Sequence, residues 1–521
     1  MPHTDSGSKV RFCSVPDLIR DMALKRPHAI ALICGGQRIT YCELDALAAR
    51  VAASLQRDGL RRGDTVAVCA APSIAYVAVF LGAVRVGVVV APLAATATPE
   101  SLAAMVHNAR ASLLFADSST TAWVRNAGLG DICLVLEPGS ASLGTWLVHE
   151  GKLPAPVEIA PDWAFNIIYS SGTTGSPKGI VQTHERRVAQ VSRRDLLGYG
   201  TDSVTLLATP LYSNTTLVAL FPTLVAGGTA VLMPKFDARG FLVLAEQERA
   251  THTMLVPVQY QRILAEPGFD SFDLTRFRMK LCAGAPFSAA HKREVLRRWP
   301  GGLIEMYGTT EGGGSCMLDA QRYPDKLHTV GKPSAGSEFQ VIDEQGHVLP
   351  QGETGEIVGR ATTMMERYHG QAASEAIEWF DAQGRRFLRS GDVGYFDADG
   401  FLVLVDRRKD MIISGGFNIY PSDLEQQLRR HPQVQDAAVI GVPSERWGET
   451  PVAFVIPRRG SHLDTQEALA WCNAKLGKTQ RLADLYLVAD FPRNPLGKVL
   501  KRELREVYNA STSAPPPGGA T

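Results

Sequence analysis

The sequence predicts an α/β protein: a large N-terminal domain of parallel sheets with a smaller β-rich subdomain, followed by a small α+β C-terminal domain. Three observations lead to this prediction. The chain has 521 residues, too many for one compact core at about 150 residues per domain. Short β-branched runs alternate with helix-length segments up to about residue 300. After residue 330 the pattern changes, and it changes again after Asp406.

Residues 30–300 predict the parallel sheets, because strands separated by helices pair in parallel. One run, 66–84, is uncharged and long enough to cross a membrane. Its Pro72 and the string TVAVCA instead indicate a strand and then a buried helix that ends at Arg85. The predicted strands lie in AVCA, VGVVVAPL, SLLFAD, ICLVLE, NIIYSS, TAVLMP, THTMLVP, MKLCAGA and GLIEMYG.

The segment after residue 330 predicts antiparallel hairpins, because apolar alternation is broken by the turn strings DEQG and DADG. DADG lacks the ligand spacing of a calcium loop and is interpreted as a hairpin turn. After Asp406, DLEQQLRRH and EALAWCNAKLG predict helices, and DAAVIGVP and PVAFVIP predict strands. The domains are therefore expected at 1–406 and 407–509, with a disordered tail rich in Pro and Gly at 510–521.

Composition excludes several classes of protein. The 45% hydrophobic and 21% charged residues are those of a globular chain and exclude bulk disorder. The 54 Lys+Arg and 53 Asp+Glu leave a net charge of +1, which gives no field to attract nucleic acid or an anionic membrane. The eight cysteines show no CxxC spacing, and the N-terminus has no signal-peptide profile. We therefore predict reduced thiols and a cytoplasmic location, with no transmembrane segment.

The string YSSGTTGSPKGI, Tyr169 to Ile180, follows an apolar strand and carries the residue types of a phosphate-binding loop. Glycines let backbone N–H groups approach an anion closely, hydroxyls add donors, and Lys178 adds a point charge. The spacing differs from GxxxxGK[ST], so this is not the P-loop of common NTPases. The alternative interpretation is an ordinary Ser/Gly turn.

This loop resembles the phosphate loop of the adenylate-forming superfamily, which includes acyl-CoA synthetases, peptide-synthetase adenylation domains and luciferases. Further strings, EMYGTTEGGG, the run from Ser390 to Glu425 and NPLGKVLKREL, occur in the order of that superfamily and extend the resemblance over nearly the whole chain. The resemblance implies an acid–CoA ligase that uses ATP, Mg²⁺ and coenzyme A. The nucleotide-binding residues it implies are Ser170, Ser171, Gly172, Thr173, Thr174, Gly175, Lys178, Gly284, Ala285, Pro286, Tyr307, Gly308, Thr309, Asp392 and Arg407.

Specific roles follow from the same resemblance. Tyr307 is expected on the adenine face, where stacking on an aromatic is worth about 1–3 kcal/mol. Thr310 is expected on the phosphates and Glu311 on Mg²⁺, which prefers carboxylate and phosphate oxygens. Asp392 matches the aspartate that accepts hydrogen bonds from both ribose hydroxyls.

The resemblance also implies that the C-terminal domain is mobile. Lys409 lies where the family hinges, and Lys498 matches the lysine that enters the site for adenylate formation, where a cation bridges carboxylate and α-phosphate. Ser414, Gly415 and Gly416 resemble the loop that lines the pantetheine channel. Adenylation and thioester formation would then need different orientations of the small domain.

The acid pocket that the resemblance implies is built from small or apolar residues. No aspartate lies near residues 212–214, where an amino-acid activator would bind an α-ammonium, so the far end of the acid is expected to be uncharged. We predict a hydrophobic acid that is aromatic, alicyclic or medium-chain. The pocket candidates are Tyr212, Ser213, Asn214, Val256, Val258, Ala283, Gly312, Gly313 and Gly314, with Gly284 beside them.

Other functions remain open from the sequence. An acyl-AMP ligase that loads a carrier-protein thiol shares the first half-reaction. A luciferase-like oxygenase would consume O₂ or emit light, and a catalytically idle binding protein would not need Lys498, Glu311 and Asp392 together. His184 and His252 have no second ligand at zinc spacing, and packing or capping is the expected role of both. The partners expected are the acid, ATP and CoA, with no nucleic acid, in a monomer or homodimer.

Overall fold

The computed structural model describes residues 12–137, 142–170, 178–362, 364–365, 367–370, 377–414, 417–476, 480–494 and 497–513. The chain forms two compact units. Unit 1 contains Met1–Gly312, Asp319–Leu327 and Thr362–Ala376, and unit 2 contains Gly313–Leu318, His328–Ala361 and Ile377–Thr521. Lys409 lies inside unit 2, and its role as a hinge stays a prediction, as do the domain boundaries.

Unit 1 alternates helices and strands. Many of its helices begin at a Ser, Thr or Asp whose side chain accepts a hydrogen bond from the first turn, as at Ser73, Thr183, Ser213 and Asp237. The helices are α1 (Val15–Lys25), α2 (Tyr41–Arg57), α3 (Ile74–Arg85), α4 (Pro99–Ala109), α5 (Thr121–Asn126), α6 (Leu143–Trp146), α7 (His184–Val191), α8 (Asn214–Val225), α9 (Ala238–Gln247), α10 (Pro257–Leu264) and α11 (Ala289–Arg298). The strands are β1 (Ile30–Cys34), β2 (Gln37–Thr40), β3 (Thr65–Cys69), β4 (Val89–Pro92), β5 (Ala111–Ala116), β6 (Cys133–Val135), β7 (Ala164–Ser170), β8 (Lys178–Thr183), β9 (Val204–Leu207), β10 (Thr229–Leu232), β11 (His252–Leu255), β12 (Met279–Ala283) and β13 (Gly302–Gly308).

Two largely parallel sheets confirm the predicted architecture of residues 30–300. The first has the order β6-β5-β3-β4-β7-β8, parallel except for the β7–β8 hairpin. In the second, the strands of unit 1 follow the order β13-β12-β11-β9-β10-β1-β2, parallel except for β2. The uncharged run 66–84 is strand β3 followed by the buried helix α3, as predicted. Strands β1, β2, β8 and β9 were not predicted as separate elements.

Unit 2 contains the antiparallel subdomain and the α+β segment. Its first sheet is formed by β16 (Ser337–Ile342), β17 (Gly355–Ala361), β18 (Glu378–Phe380), β19 (Arg386–Phe396) and β20 (Leu402–Arg407). The order is β16-β17-β19-β18 with β20 on β19, and every pairing is antiparallel, as predicted. DADG forms the turn between β19 and β20, where the Asp397 N–H donates to the Phe401 carbonyl at 2.9 Å. The remaining strands are β14 (Ser315–Asp319), β15 (Lys332–Pro333), β21 (Ile412–Ser414), β22 (Phe417–Ile419), β23 (Val434–Ser444), β24 (Gly448–Pro457) and β25 (Asp484–Leu487).

The end of the chain packs helices on a second sheet of unit 2. This sheet has the order β22-β21-β24-β23 with β25 parallel to β24. The helices are α12 (Pro421–Arg429), α13 (Thr465–Asn473) and α14 (Lys501–Ser513). The helices and strands predicted after Asp406 are present as α12, α13, β23 and β24. Helix α14 takes in the first residues of the expected tail, and 514–521 lie outside the described residues.

Four of the eight cysteines are buried, and none of the eight forms a disulfide. Cys69, Cys282 and Cys472 are buried in three different hydrophobic clusters, one around each of three sheets. Burial raises the pKa of Cys69 to about 12 and that of Cys472 to about 11, which keeps both thiols protonated. Within the described ranges, no helix is long and apolar enough to cross a membrane.

Candidate active site

The loop that follows β13 carries Thr310 and Glu311 at the carboxyl end of a parallel strand, the usual edge for ligand binding in such sheets. The loop turns at Gly312, which has a φ of +82° and whose N–H donates to the Thr309 carbonyl at 3.1 Å. Tyr307 and Gly308 are the last two residues of β13. The predicted nucleotide residues Tyr307 to Thr309 therefore lead directly into the loop.

Tyr368 links the Glu311 carboxylate to the strand that follows the predicted phosphate loop. Its hydroxyl donates to Glu311 Oε1 at 3.0 Å, and burial together with the Glu311 charge raises the pKa of this phenol. The Lys178 ammonium lies 5.3 Å from the centre of the Tyr368 ring. Tyr368 also pairs with Ile180 of β8. Lys178 and Glu311, predicted from separate motifs, thus contact one side chain that the motif analysis missed.

Helix α7 supplies two buried arginines that the motif analysis also missed. Arg186 Nη2 donates to the Thr310 carbonyl at 2.7 Å. Arg187, which has no solvent exposure, donates to Asn166 Oδ1 at 2.8 Å and to Asn214 Oδ1 at 2.7 Å. Burial lowers the pKa of Arg186 to about 10 and that of Arg187 to about 9. In the sequence, the only indication of their role was that two adjacent arginines occur in a helix that follows a buried strand.

The predicted acid-pocket residues of unit 1 lie on neighbouring elements. A Cβ built on Gly284, whose φ is +93°, would lie 3.8 Å from Val256 Cγ1 and 3.9 Å from Thr215 Oγ1. Ser213 and Asn214 begin α8, and Val256 and Val258 lie at the start of α10. Three of the predicted segments therefore meet around Gly284.

The other predicted pocket and nucleotide residues have the following surroundings. Gly313 and Gly314 belong to unit 2, where added Cβ atoms would strike the Gly359 carbonyl and the Phe339 ring, so close packing requires glycine there. Tyr212 is half-buried, and burial raises its pKa to about 12. Ala283 ends β12, with Ala285 half-buried and Pro286 exposed after it.

The remainder of the predicted loops lies outside the described residues. Ser170 ends β7, and Lys178 begins β8. Ser414 ends β21 and is buried. The residues outside the described ranges are Ser171, Gly172, Thr173, Thr174, Gly175, Gly415 and Gly416.

Unit 2 brings together predicted residues from three parts of its sequence. Asp392 and Arg407 are register partners on β19 and β20, and Arg407 Nε lies 3.0 Å from Asp392 Oδ1. Asp392 is 6% exposed. The charges of Arg407, Lys409 and Asp392 all act on the Lys498 ammonium. The predicted ribose ligand and the predicted catalytic lysine therefore share one electrostatic environment.

Lys498 sits in a tight turn. Gly497 has a φ of +77°, the Asn494 N–H donates to the Lys498 carbonyl at 2.9 Å, and Asn494 Oδ1 accepts from the Lys498 N–H at 2.9 Å. Burial, followed by the charges of Arg407 and Lys409, lowers the pKa of Lys498 to about 8. The ammonium is thus poised to lose its proton just above neutral pH.

The donor set around Glu311 fits Mg²⁺. A carboxylate with a neighbouring hydroxyl, that of Thr310, offers the oxygen ligands that Mg²⁺ prefers, and this ion usually binds one or two carboxylates together with substrate phosphates. Among the residues that the structure describes, no group of three or more His, Cys, Asp or Glu side chains could form an all-protein metal cage. Glu311 would therefore hold the ion jointly with the nucleotide.

His184 and His252 have the packing roles that were expected. The His184 ring lies edge-on to Phe165 at 5.0 Å, and the His252 ring stacks on Tyr199 at 4.5 Å. His252 also contacts Thr251 Oγ1 at 2.7 Å and the Leu197 carbonyl at 3.2 Å. Burial lowers the pKa of both histidines to about 4, so both are neutral at pH 7.

Comparison with known proteins gives one consistent result. The model of the AMP-binding enzyme family matches residues 19–369, and that of the AMP-binding enzyme C-terminal domain matches 423–498. A feruloyl-CoA synthase of Amycolatopsis sp is 35% identical over 92% of this chain and 96% of its own length. The fatty acid–[acyl-carrier-protein] ligase ScoC of Streptomyces coeruleorubidus is 30% identical over 93% of this chain and 95% of its own. The crystal structure of ATP-bound MatB from Rhodopseudomonas palustris matches with a TM-score of 0.84 at 31% identity, over 95% of this chain and 99% of that one.

Proposed function

We propose that this chain, which belongs to the family of AMP-binding enzymes, activates a hydrophobic carboxylic acid, aromatic, alicyclic or medium-chain, and transfers it to coenzyme A. The chain is an AMP-forming acid–thiol ligase of the acyl-CoA synthetase type, in a family of enzymes that use ATP and Mg²⁺. What we propose is the class of acid and the residues that act on it.

The observation that carries the substrate class is the cluster around Gly284. Val256 is buried, and a group placed at the Cβ position of Gly284 would contact both Val256 and Thr215. An apolar group gains about 25 cal/mol for each Å² of apolar surface that it buries in such a site. The 35% identity to a feruloyl-CoA synthase supports an aromatic acid.

The first half-reaction joins the acid to ATP. The acid's carboxylate attacks the α-phosphorus, the bond to the β-phosphate oxygen breaks, and pyrophosphate leaves to give acyl-AMP. In our proposal, Lys498 bridges the two approaching anions, Thr310 contacts the phosphates, Glu311 holds Mg²⁺, which neutralises phosphate charge, and Asp392 binds the ribose. No general base is needed, since a carboxylic acid is already ionised at pH 7.

The second half-reaction transfers the acyl group. The CoA thiolate attacks the acyl carbon, the bond to the AMP phosphate oxygen breaks, and AMP leaves. We place this step at the segment from Ser414 to Gly416, with rotation about Lys409 exchanging it for Lys498.

The decisive experiment measures pyrophosphate release with ATP-Mg²⁺ and a panel of acids, each with and without CoA. The panel contains acetate, malonate, octanoate, palmitate, benzoate, coumarate, cyclohexanecarboxylate and several amino acids. We expect CoA-dependent turnover with a hydrophobic acid. Turnover confined to acetate, malonate or an amino acid would contradict the proposed class.

A carrier-protein ligase is the second candidate, supported by the 30% identity to ScoC. It shares the first half-reaction and differs only in the thiol. Release of a single equivalent of pyrophosphate, unaffected by CoA, would favour this function. The search would then turn to a carrier-protein partner.

A further inference from the structure

Arg186 contacts the main chain of the two residues to which the proposed function gives phosphate and metal contacts. Its guanidinium donates to the Thr310 carbonyl at 2.7 Å and to the Glu311 carbonyl at 3.5 Å, the second contact being long and weak. Gln182 Nε2 donates to the same Thr310 carbonyl at 3.0 Å. With two donors on one carbonyl, the peptide group between Thr310 and Glu311 cannot rotate without breaking both hydrogen bonds.

Gly312 leaves the space that the Arg186 guanidinium occupies. At a φ of +82° it adopts the left-handed region, and a Cβ there would overlap the Arg186 guanidinium. The turn and the arginine therefore fit each other only because residue 312 is glycine. The Arg186 guanidinium occupies the space that a side chain at residue 312 would take.

Glu311 is held from its other side as well. Its carbonyl accepts from the Met365 N–H at 2.8 Å, and its carboxylate accepts from the Tyr368 hydroxyl. Main chain and side chain of Glu311 are thus both fixed by hydrogen bonds, and Arg186 is the cationic member of that set.

Packing alone does not account for an arginine at this position. Arg186 is 6% exposed, and removing a guanidinium from water costs free energy that an apolar side chain of similar size would not cost. The carbonyls of the loop and the charge of Glu311 offset that cost. A loop held by charge-assisted hydrogen bonds is pre-organised, which is what phosphate and metal contacts require.

We propose that Arg186 is a positioning residue for acyl-adenylate formation: it fixes the main chain at Thr310 and Glu311 so that the hydroxyl and the carboxylate meet ATP and Mg²⁺ without rearrangement. This inference rests on the proposed function. Arg186 contacts neither the acid nor the nucleotide in this scheme and acts only through the loop.

The test is equilibrium binding of ATP, by calorimetry, as a function of Mg²⁺ concentration. For Arg186→Met we expect the Mg²⁺ concentration at half-maximal ATP binding to rise by about 10–100-fold, the usual effect of removing a residue that orients a metal ligand. Pyrophosphate release should show the same shift. Thioester formation from supplied acyl-AMP should keep its wild-type rate, which a general loss of structure would not allow.

Matched variants distinguish the loss of the Arg186 contacts from the loss of any buried positive charge on α7. Arg187→Met removes a buried arginine from the same helix whose hydrogen bonds go to Asn166, Gln190 and Asn214, and it should leave the Mg²⁺ requirement for ATP binding unchanged. Glu185→Ala alters the exposed side of α7 and should have no effect. If Arg186→Met does not fold, Arg186→Lys and Gln182→Leu provide the test, each with a smaller shift in the same direction.

Two results would overturn the inference alone: a folded Arg186→Met protein with the wild-type Mg²⁺ requirement, or an equal shift in Arg187→Met. If the unaltered protein showed no Mg²⁺-dependent ATP binding, the proposed function would fail and the inference with it.

Discussion

At the scale of single residues, the environment of Lys498 is unlike that of an ordinary surface lysine. Arg407 and Lys409 place two positive charges near it, and Asp392 supplies the nearby negative charge. Its neighbour Lys501 is different, since Lys501 Nζ pairs with Glu425 Oε1 at 2.8 Å. We therefore expect Lys498 and Lys501 to have different roles, although they are only three positions apart.

Replacing Lys498 should affect one half-reaction only. Lys498→Ala is expected to slow adenylation by about 10²–10³-fold, the effect of losing one transition-state donor, and to spare the reaction of supplied acyl-AMP with CoA. Pyrophosphate release and thioester formation are measured separately. Lys501→Ala is the control and should adenylate normally. Equal loss in both half-reactions would contradict the role.

The lowered pKa of Lys498 predicts a pH dependence. The ammonium form is present below a pKa of about 8 and is lost above it, so kcat/KM for pyrophosphate release should fall as the pH rises through about 8. Arg407→Leu removes a positive neighbour and should move this alkaline limb to higher pH. A flat profile between pH 7 and 9.5 would exclude Lys498 as the essential cation.

At the scale of elements, we expect the backbone conformation of the turn after β13 to affect the rate of adenylation. Gly312→Ala should slow adenylation by about tenfold, because its Cβ would displace Arg186 from the loop that carries Thr310 and Glu311. Gly336→Ala is the matched control, with a φ of +78° and open space around it. It should lose comparable stability, measured as Tm, and keep full pyrophosphate release. Equal rates of pyrophosphate release in Gly312→Ala and Gly336→Ala would show that the turn at Gly312 does not affect catalysis.

The elements also differ in how far they could be predicted from the sequence. Most buried strands of the two parallel sheets were predictable because they are short β-branched runs, although β1 and β9 were missed, and the DADG hairpin was predictable because its turn chemistry is local. Strand β2, with the sequence QRIT, escaped because it is half exposed and pairs at an edge. Arg186 and Tyr368 escaped for a different reason: their partner at Glu311 is 125 and 57 residues away, and no local pattern marks such contacts.

At the scale of the whole molecule, the two buried neutral histidines predict sensitivity to acid. His184 and His252 have folded-state pKa values of about 4 against 6.5 unfolded, so below pH 6.5 the unfolded chain binds protons that the folded chain does not. Stability is therefore fully present above pH 6.5 and falls toward pH 4, by up to about 1.4 kcal/mol per pH unit for each histidine.

The measurement is Tm between pH 7 and 5. His252→Gln should flatten the fall in Tm, even if its Tm at pH 7 is lower, because one titrating group is gone. An exposed histidine, His347→Gln, is the control and should leave the slope as it was. An unchanged slope in His252→Gln would show that carboxylates, not histidines, govern the acid limb.

Because Cys69, Cys282 and Cys472 are buried in three different cores, their reactivity with a thiol reagent can report which core unfolds. A thiol reagent reacts only with thiols that become accessible, and Cys69, Cys282 and Cys472 each become accessible when a different core opens. Brief exposure to the reagent in graded denaturant, followed by peptide mass spectrometry, would time the opening of each core without any engineered label. Added ATP should delay the labelling of those cores whose opening destroys the nucleotide site, because a ligand stabilises only the state that binds it.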